Sequence, residues 1–286
     1  MEAPNAAFNL RTYNKAEVAA HYAGMNYLTP CERLLFETYI KPGMTILDLG
    51  VGGGRTTSWL ASVASRYVGV DYAEAMVQQC RSRFPHLEFL VADASDLSVF
   101  PSASFDAAVM AFNGIDYIVP DEERKRFLKE CLRVLRPGGV FIFSSHNPRA
   151  IFVRPSWNPE RLRALTLRLT GNARGFFKPV LFCATCARVS LAWLTASAAS
   201  LGRIFLRVTK SPFWRGEGWR FDPVHGGLIT HCGTPQHVTL ELQLLSFQLR
   251  DIRGDDYPKR SRSYITGWYY YVFAKPDRPA DHQPCA

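Results

Sequence analysis

The segment TILDLGVGGGRTTSWLA, residues 45–61, constrains the fold more than any other part of the chain. An apolar run that contains Asp48 leads into five residues of which four are glycine, and a helical pattern begins near Arg55 or Thr56. Glycine permits positive φ and lets a ligand approach the backbone without a Cβ in the way. The segment therefore predicts a buried strand, a tight turn and a helix, with a ligand or close packing at the turn.

Short apolar runs alternate with helical patterns through the first half of the chain. Five of these runs predict strands: MTILDLG, RYVGVDY, LEFLVADA, FDAAVMAFN and GVFIFSS. Amphipathic segments such as AEAMVQQCRSRF and DEERKRFLKECLRVLR lie between them. This alternation predicts an α/β fold whose parallel sheet is covered on both faces and binds ligands at the carboxyl ends of its strands.

The remaining patterns divide the chain into five parts. A helical N-terminal gate is predicted first, with a helix start at Thr29, Pro30 and Glu32. After the insertion, TPQHVTLELQLLS predicts a helix capped by Thr234, and FQLRDI and GWYYYVFAKP predict two last strands. The predicted boundaries are 1–43 for the gate, 44–148 for the core, 149–232 for an insertion, 233–276 for the returning core and 277–286 for a flexible tail.

Composition favours a reduced compartment and locates the positive charge. The seven cysteines are an odd number scattered along the chain, and the N-terminus has no signal-peptide pattern, so we expect a cytoplasmic protein. The net charge is +9, but residues 149–215 hold twelve Lys or Arg against the single acid Glu160 and so carry +11. The excess of positive charge therefore belongs to the insertion.

Three aspartates lie at or near the ends of the first three predicted strands. Asp48 precedes the first glycine by two residues and would repel a pyrophosphate, whereas an ammonium or sulfonium group benefits from a nearby carboxylate, directly or through water. Asp71 ends the second strand, where an acid can accept both ribose hydroxyls, as in dinucleotide-binding proteins too. Asp93 follows the third strand and could accept from an adenine amine. The series favours S-adenosylmethionine over a dinucleotide.

These motifs resemble, in order, those of class I S-adenosylmethionine-dependent methyltransferases. LDLGVGGG is similar to the cofactor loop, VGVDYAEAM to the ribose-binding strand end, VADASDL to the adenine turn and LRVLRPGGVFIFS to the turn into the fifth strand. Val51 departs from the small residue or cysteine common in that loop. The resemblance implies a Rossmann-like, doubly wound seven-stranded sheet with an antiparallel last strand, and a mainly helical insertion after the fifth strand. Its implied cofactor-binding residues are Asp48, Gly50, Gly52, Gly54, Asp71, Tyr72, Met76, Asp93, Ala94, Phe112 and Asn113.

The acceptor side of such an enzyme needs alignment and exclusion of water, and a base only for a protonated acceptor. His146, at the end of the fifth strand, is the candidate base, although a histidine before Asn and Pro also fits a turn. The candidate substrate residues are Asp116, Tyr117, His225 and His231. Enzymes that methylate amino groups of nucleic-acid bases often have an Asn or Asp followed by Pro-Pro and an aromatic residue after the fourth strand. The segment FNGIDY lacks this pattern, so a small-molecule acceptor is favoured over nucleic acid.

The insertion is basic and apolar together, which suits an anionic, partly apolar acceptor for O- or N-methylation. A lipid-linked substrate, peripheral contact of residues 149–215 with the inner face of a membrane, and a simple packed lid stay open as alternatives. Cys183 and Cys186 form one CxxC without a second pair, so no metal is expected. A NAD-dependent oxidoreductase and a non-enzymatic membrane-docking module are the rival functions.

Overall fold

The computed structural model describes residues 6–148, 215–222, 228–259 and 266–277. Apart from Arg215, these residues belong to one compact unit. The strands are β1 (Thr45–Leu49), β2 (Arg66–Asp71), β3 (Glu88–Val91), β4 (Phe105–Met110), β5 (Leu135–His146), β6 (Glu217–Asp222), β7 (Leu228–Gly233), β8 (Gln248–Gly254) and β9 (Trp268–Ala274).

Seven of these strands form one mixed sheet in the order β3-β2-β1-β4-β5-β9-β8. The pairs among β1 to β5 are parallel, and β9 runs antiparallel to both β5 and β8. The chain order reverses on the two sides of β1, which places a ligand crevice at the carboxyl ends of β1 and β4. The predicted fold class, a doubly wound seven-stranded sheet with an antiparallel end, is confirmed.

Helices connect the parallel strands and precede the sheet. They are α1 (Ala6–Tyr13), α2 (Ala16–Ala23), α3 (Pro30–Tyr39), α4 (Thr57–Val63), α5 (Glu74–Arg83), α6 (Asp121–Val134) and α7 (Pro235–Gln243), with a 3₁₀ turn at Gly114–Tyr117. The predicted start of α3 is confirmed, because Thr29 and Glu32 form a reciprocal capping box. Thr234 lies at the N-cap of α7 as predicted, but its hydroxyl contacts the His237 ring and caps no backbone N–H.

The strands are buried on both faces of the sheet, as continuous apolar runs require. Leu47 and Val68 on one face and Ile46 on the other are fully buried. Phe143 stacks on Tyr271 with ring centroids 5.1 Å apart. This packing makes the sheet a rigid base for the residues that follow its strands.

Part of the predicted insertion is a hairpin, which sequence analysis did not predict. Strands β6 and β7 pair antiparallel as a separate two-stranded sheet. Residues 149–214 and 223–227, with His225, lie outside the described residues, as do residues 278–286 of the predicted tail. The predicted lid and its membrane contact therefore stay predictions. Within the described ranges, no helix has the length and apolar character needed to cross a bilayer.

Candidate functional site

In the glycine turn between β1 and α4, two glycines border open space and two are in close contact with other parts of the protein. Gly50 and Gly52 have φ of 61° and 55°, and a Cβ added to either would meet no atom closer than 3.8 Å. A Cβ on Gly53 would collide with the backbone of α2, and one on Gly54 would come within 2.8 Å of Phe84. Gly50 and Gly52 therefore leave room for a ligand, whereas Gly53 and Gly54 allow close packing within the protein.

Asp71 lies beneath the glycine turn and holds it. Its two carboxylate oxygens accept hydrogen bonds from the backbone N–H groups of Gly52 and Ala73, both at 2.9 Å. Burial raises the pKa of Asp71 to about 6. A carboxylate has more lone pairs than these two bonds use, so it can also accept from ligand hydroxyls.

Asp48 supports the turn from the other side. Its Oδ2 accepts hydrogen bonds from the hydroxyls of Thr56 at 2.9 Å and Tyr67 at 2.8 Å. Only 1% of Asp48 is exposed, and burial raises its pKa to about 6. In the described structure the carboxylate therefore ties β2 and the start of α4 to the turn, and contact with a ligand ammonium stays a prediction.

The other predicted cofactor residues surround the end of β2. The hydroxyl of Tyr72 is buried and has no hydrogen-bond partner among the described residues. Asp93 is exposed and accepts from the Ser95 backbone N–H at 2.8 Å, and the adjacent Ala94 is partly exposed. Met76 is 1% exposed and packs in a cluster with residues of α2. The sheet thus brings Asp71, Tyr72 and Asp93 to one edge, as predicted.

The N-terminal helices pack against this edge. Besides the contact of α2 with Gly53, the ring of Tyr13 lies 6.2 Å from Tyr22, 6.2 Å from Tyr72 and 6.0 Å from Tyr117. Tyr13 thus joins the residues that follow β2 to those that follow β4. This placement fits the predicted gate.

Two consecutive residues after β4 have left-handed backbone conformations. Phe112 has φ of 56° and Asn113 has φ of 63°, which is costly for residues with a Cβ. The Ser144 hydroxyl holds this turn by accepting from the Asn113 backbone N–H at 2.8 Å. The Arg55 guanidinium lies 4.9 Å from the centre of the Phe112 ring, which links the turn to the glycine loop.

Asp116 and His146 are in hydrogen-bond contact at the end of β5. The His146 Nδ1 lies 2.8 Å from Asp116 Oδ2, which also accepts from the His146 backbone N–H at 2.6 Å. Asp116 Oδ1 accepts from the Ser145 hydroxyl at 2.7 Å. The His146 Nε2 lies 3.3 Å from Asn113 Nδ2, and the Tyr117 ring is edge-on at 6.2 Å. Four predicted residues are therefore adjacent here.

The 3₁₀ turn that carries Asp116 is clamped by residues that sequence analysis missed. Arg124 donates to the Ile115 carbonyl at 2.7 Å and pairs with Glu241 on α7 at 2.9 Å. Asn9 on α1 donates to the carbonyls of Tyr117 at 3.1 Å and Ile229 at 2.9 Å. Arg124 had a signal, since it occupies the apolar stripe of α6, where a charge requires a buried partner.

His231 lies on β7 behind the Asp116 turn. It is 8% exposed, its ring is 5.0 Å from Trp219, and its Nδ1 is buried with no hydrogen-bond partner in the part of the chain that the structure describes. Burial lowers its pKa to about 4, so the ring is neutral near pH 7. Within the described ranges, no group of three or more metal-ligating side chains occurs, and Cys31, Cys80, Cys131 and Cys232 are buried and form no disulfide there.

Comparison with known proteins gives one family for this core. A family model described as a methyltransferase domain matches residues 46–139. A probable S-adenosylmethionine-dependent methyltransferase of Mycolicibacterium smegmatis is 38% identical over 105 residues, which cover 37% of this chain and 39% of that protein. A fatty-acid O-methyltransferase of the same organism is 36% identical over 138 residues, 47% of this chain and 48% of that protein. The matches thus span less than half the length of these two relatives.

The fold is also shared with a solved structure. The 1,6-didemethyltoxoflavin-N1-methyltransferase of Burkholderia thailandensis, solved with 1,6-didemethyltoxoflavin and S-adenosylhomocysteine, superposes with a TM-score of 0.56. The alignment covers 97% of this chain and 92% of that protein at 16% identity. At this identity the likeness establishes the fold alone.

Proposed function

We propose, since this chain belongs to the class I S-adenosylmethionine-dependent methyltransferases, that it transfers the methyl group of S-adenosylmethionine to a small-molecule acceptor. The match over residues 46–139 covers the glycine turn, Asp71 and Asp93. The family and the cofactor class therefore agree with the sequence prediction. The acceptor and the roles of individual residues are proposals.

The observation that carries the proposal is the open face of the glycine turn beside Asp71. Gly50 and Gly52 leave the space that a Cβ would fill, and Asp71 has spare acceptor capacity next to them. The buried Tyr72 hydroxyl, which has no partner within the described residues, provides a further polar group at the same edge. These three features fit a ligand with a ribose and a cationic chain.

A nicotinamide dinucleotide fits the same groups less well. Both ligands use an acid after the second strand for the ribose. A pyrophosphate at the start of α4 would lie near Asp48, whose carboxylate is held under the turn by Thr56 and Tyr67. A sulfonium and an ammonium group gain from that negative charge, whereas phosphates lose.

S-adenosylmethionine would supply an electrophilic methyl group, and the chain would align the two reactants and exclude water. Asp71 would accept from the ribose, and the turn at Gly50 and Gly52 would approach the amino-acid part of the cofactor. The Tyr13 cluster would exclude water from the junction between the two ends of the site. Alignment is the main requirement of this displacement, because its leaving group is a neutral thioether.

The acceptor proposed is a small metabolite with an apolar or aromatic body. Phe112, Tyr117 and Trp268 line the end of β4 and β5, with Phe112 and Trp268 centroids 6.3 Å apart. The names of two similar proteins reported above fit such a class, because one is a fatty-acid O-methyltransferase and the other methylates 1,6-didemethyltoxoflavin. The +11 charge of residues 149–215 would favour anionic acceptors, and a lipid-linked one is the second candidate.

Transfer of a labelled methyl group tests this function. The full chain is incubated with S-adenosylmethionine labelled at the methyl group and with fractionated metabolite and lipid extracts, and Asp71→Asn is the matched variant. We expect label in a low-molecular-mass fraction with the unaltered chain and a strong reduction with Asp71→Asn. Label that enters only RNA or protein, or no transfer by a chain that binds the cofactor, contradicts the proposed acceptor class.

A further inference from the structure

We propose that His146 Nε2 takes the proton of the methyl acceptor and that Asp116 positions His146 for this step. The acceptor would then carry an O–H at the atom methylated, as a phenol, an enol or an alcohol does, and would not be a carboxylate. The inference rests on the proposed function and deepens it. It is carried by the arrangement of Asn113, Asp116 and His146 at the ends of β4 and β5.

The hydrogen bonds assign the proton on the neutral ring of His146. Asp116 Oδ2 accepts from the His146 backbone N–H at 2.6 Å and lies 2.8 Å from Nδ1. An ionised carboxylate only accepts, so Nδ1 must carry a hydrogen. Nε2 then has a free lone pair, which in the free protein faces the Asn113 amide nitrogen at 3.3 Å. An acceptor hydroxyl can replace that amide as the donor.

Asp116 is buried and is held by several contacts besides its contact with His146. It is 0% exposed, and its second oxygen accepts from Ser145 at 2.7 Å. The turn that carries it is held by Arg124 on one side and Asn9 on the other. A carboxylate fixed at this distance orients the imidazole and stabilises the imidazolium that forms after proton transfer.

Charged and titratable groups face His146 from the elements that pack against it. Asp116 and Tyr117 face it from the 3₁₀ turn, and Trp268 is its partner on β9. On the far side of Asp116, the charge of Arg124 is paired with Glu241, and His231 is neutral near pH 7. A further group on β9, the Tyr271 hydroxyl, has its pKa raised by burial and by Asp116. Asp116 is therefore the one carboxylate within the described residues that contacts the imidazole.

The proposed step balances without a further reagent. The acceptor O–H proton moves to His146 Nε2, and the oxygen lone pair forms a bond to the methyl carbon of the sulfonium. The carbon–sulfur bond breaks, its electron pair stays on sulfur, and S-adenosylhomocysteine and the methyl ether leave. A carboxylate acceptor is already ionised near pH 7 and has no proton for Nε2 to take.

The tautomer of His146 tests the inference without knowledge of the acceptor. The full chain, labelled with ¹⁵N and saturated with S-adenosylhomocysteine, is studied by long-range ¹H–¹⁵N NMR, and the missing signal in His146→Asn assigns the ring. We expect a neutral ring protonated at Nδ1. A ring protonated at Nε2, or one that stays doubly protonated up to pH 9, would overturn the proposal. Binding of S-adenosylhomocysteine in the same sample separates this failure from failure of the proposed function.

Methyl transfer to two probes tests the same proposal by rate. The probes are 2-naphthol and decanoic acid, and the matched control is His86→Asn, an exposed histidine outside the site. We expect naphthol methylation to fall by about 10²- to 10⁴-fold in His146→Asn and to be unchanged in His86→Asn. Preferential methylation of decanoate at a rate independent of His146 would contradict the inference. If neither probe is methylated, the NMR measurement of the His146 tautomer decides whether the proposal holds.

Asp116→Asn separates positioning from simple support of the fold. Because one oxygen accepts both the backbone N–H and Nδ1–H, an asparagine can keep both of these bonds through its amide oxygen, while its amide nitrogen replaces the oxygen that accepts from the Ser145 hydroxyl. We expect kcat for 2-naphthol to fall while KM and thermal stability change little, because the imidazole loses the charge that orients it and stabilises the imidazolium. An unchanged kcat, or a fall in kcat and Tm together, would assign Asp116 a structural role only and overturn the positioning role.

Discussion

The two ends of the candidate site are built in different ways. At the ends of β1 and β2, the ligand space is bounded by backbone: Gly50 and Gly52 leave it open and Asp71 fixes the turn through two backbone N–H groups. At the ends of β4 and β5, the site consists of side chains, and Asp116 and His146 are 30 residues apart. The first end is local in sequence and the second is assembled by tertiary contacts.

This difference predicts that substitutions at the two ends of the site have different effects. A cofactor common to a large family can be held by a turn whose shape depends on glycine and one acid. An acceptor site that varies between enzymes depends on side chains that the fold brings together, and here Asn9 and Arg124 fix them from distant segments. Substitutions at the two ends should therefore separate cofactor affinity from turnover.

The largest expected effect on ligand affinity is at the cofactor end. Asp71→Asn removes the charge and one acceptor from the glycine turn, and we expect affinity for S-adenosylhomocysteine to fall by about 10- to 100-fold. Isothermal titration calorimetry measures it, with Glu122→Gln, an exposed acid on α6, as the control. Wild-type affinity in a folded Asp71→Asn protein would break the comparison.

Arg124→Met should act mainly at the acceptor end. It removes the bond to the Ile115 carbonyl and leaves Glu241 unpaired, although Glu241 is 27% exposed and thus partly solvated. We expect the free energy of unfolding to fall by about 2 kcal/mol and kcat to fall, while S-adenosylhomocysteine affinity stays within about threefold. Chemical denaturation and calorimetry measure these effects, and equal losses at both ends would refute a separate acceptor clamp.

Gly53→Ala should loosen the N-terminal helices from the glycine turn. The added Cβ would collide with α2, so we expect a loss of about 1–3 kcal/mol in stability and faster hydrogen exchange in residues 16–23. Gly24→Ala is the matched control, because its φ is −70° and its Cβ would be 3.4 Å from the nearest atom. Equal exchange in both variants would show that α2 does not pack on the turn.

The smallest expected effect is a pH dependence of cofactor binding. Burial raises the pKa of Asp48 and of Asp71 to about 6, so both lose negative charge as pH falls through about 6. Affinity for S-adenosylmethionine should fall several-fold between pH 7.5 and 5, and affinity for S-adenosylhomocysteine, which lacks the sulfonium charge, should fall less. Parallel titrations test this, and equal losses for the two ligands would argue against the role of charge.

The same raised pKa values also predict a pH dependence of stability. The unfolded carboxyls ionise near pH 3.9, whereas the folded ones ionise near 6. The folded state therefore binds more protons between these values, and stability contributed by the two groups is lost as pH rises from about 4 to about 6. Thermal denaturation across this range measures it, with Asp71→Asn expected to flatten the slope.

The sequence was sufficient for the seven-stranded sheet and for the position of the glycine turn, because these signals are local. The apolar runs fixed which segments became β1 to β5, and the glycine turn and Asp71 lie in one short stretch. The acceptor end was only partly predictable. His146, Asp116 and Asn113 were identified as candidates, but their mutual contacts depend on the parallel alignment of β4 and β5.

The contributions of Asn9 and of the β6–β7 hairpin were not predictable from local pattern. Asn9 lies in a short helix with no distinctive motif, and its partners Tyr117 and Ile229 are 108 and 220 residues away. The hairpin segments Glu217–Asp222 and Leu228–Gly233 are short and rich in polar residues and glycine, so they lack a clear strand pattern. The positions of Asn9 and of the hairpin depend on contacts with segments that are distant in sequence.

Calorimetric titration of the full chain with S-adenosylhomocysteine and, separately, with NAD⁺ tests the central claim most directly. A site framed by Gly50, Gly52 and Asp71 predicts saturable one-to-one binding of S-adenosylhomocysteine, reduced by Asp71→Asn, and no heat with NAD⁺. Binding of NAD⁺ alone, or no heat with S-adenosylhomocysteine from a folded chain, would contradict the account.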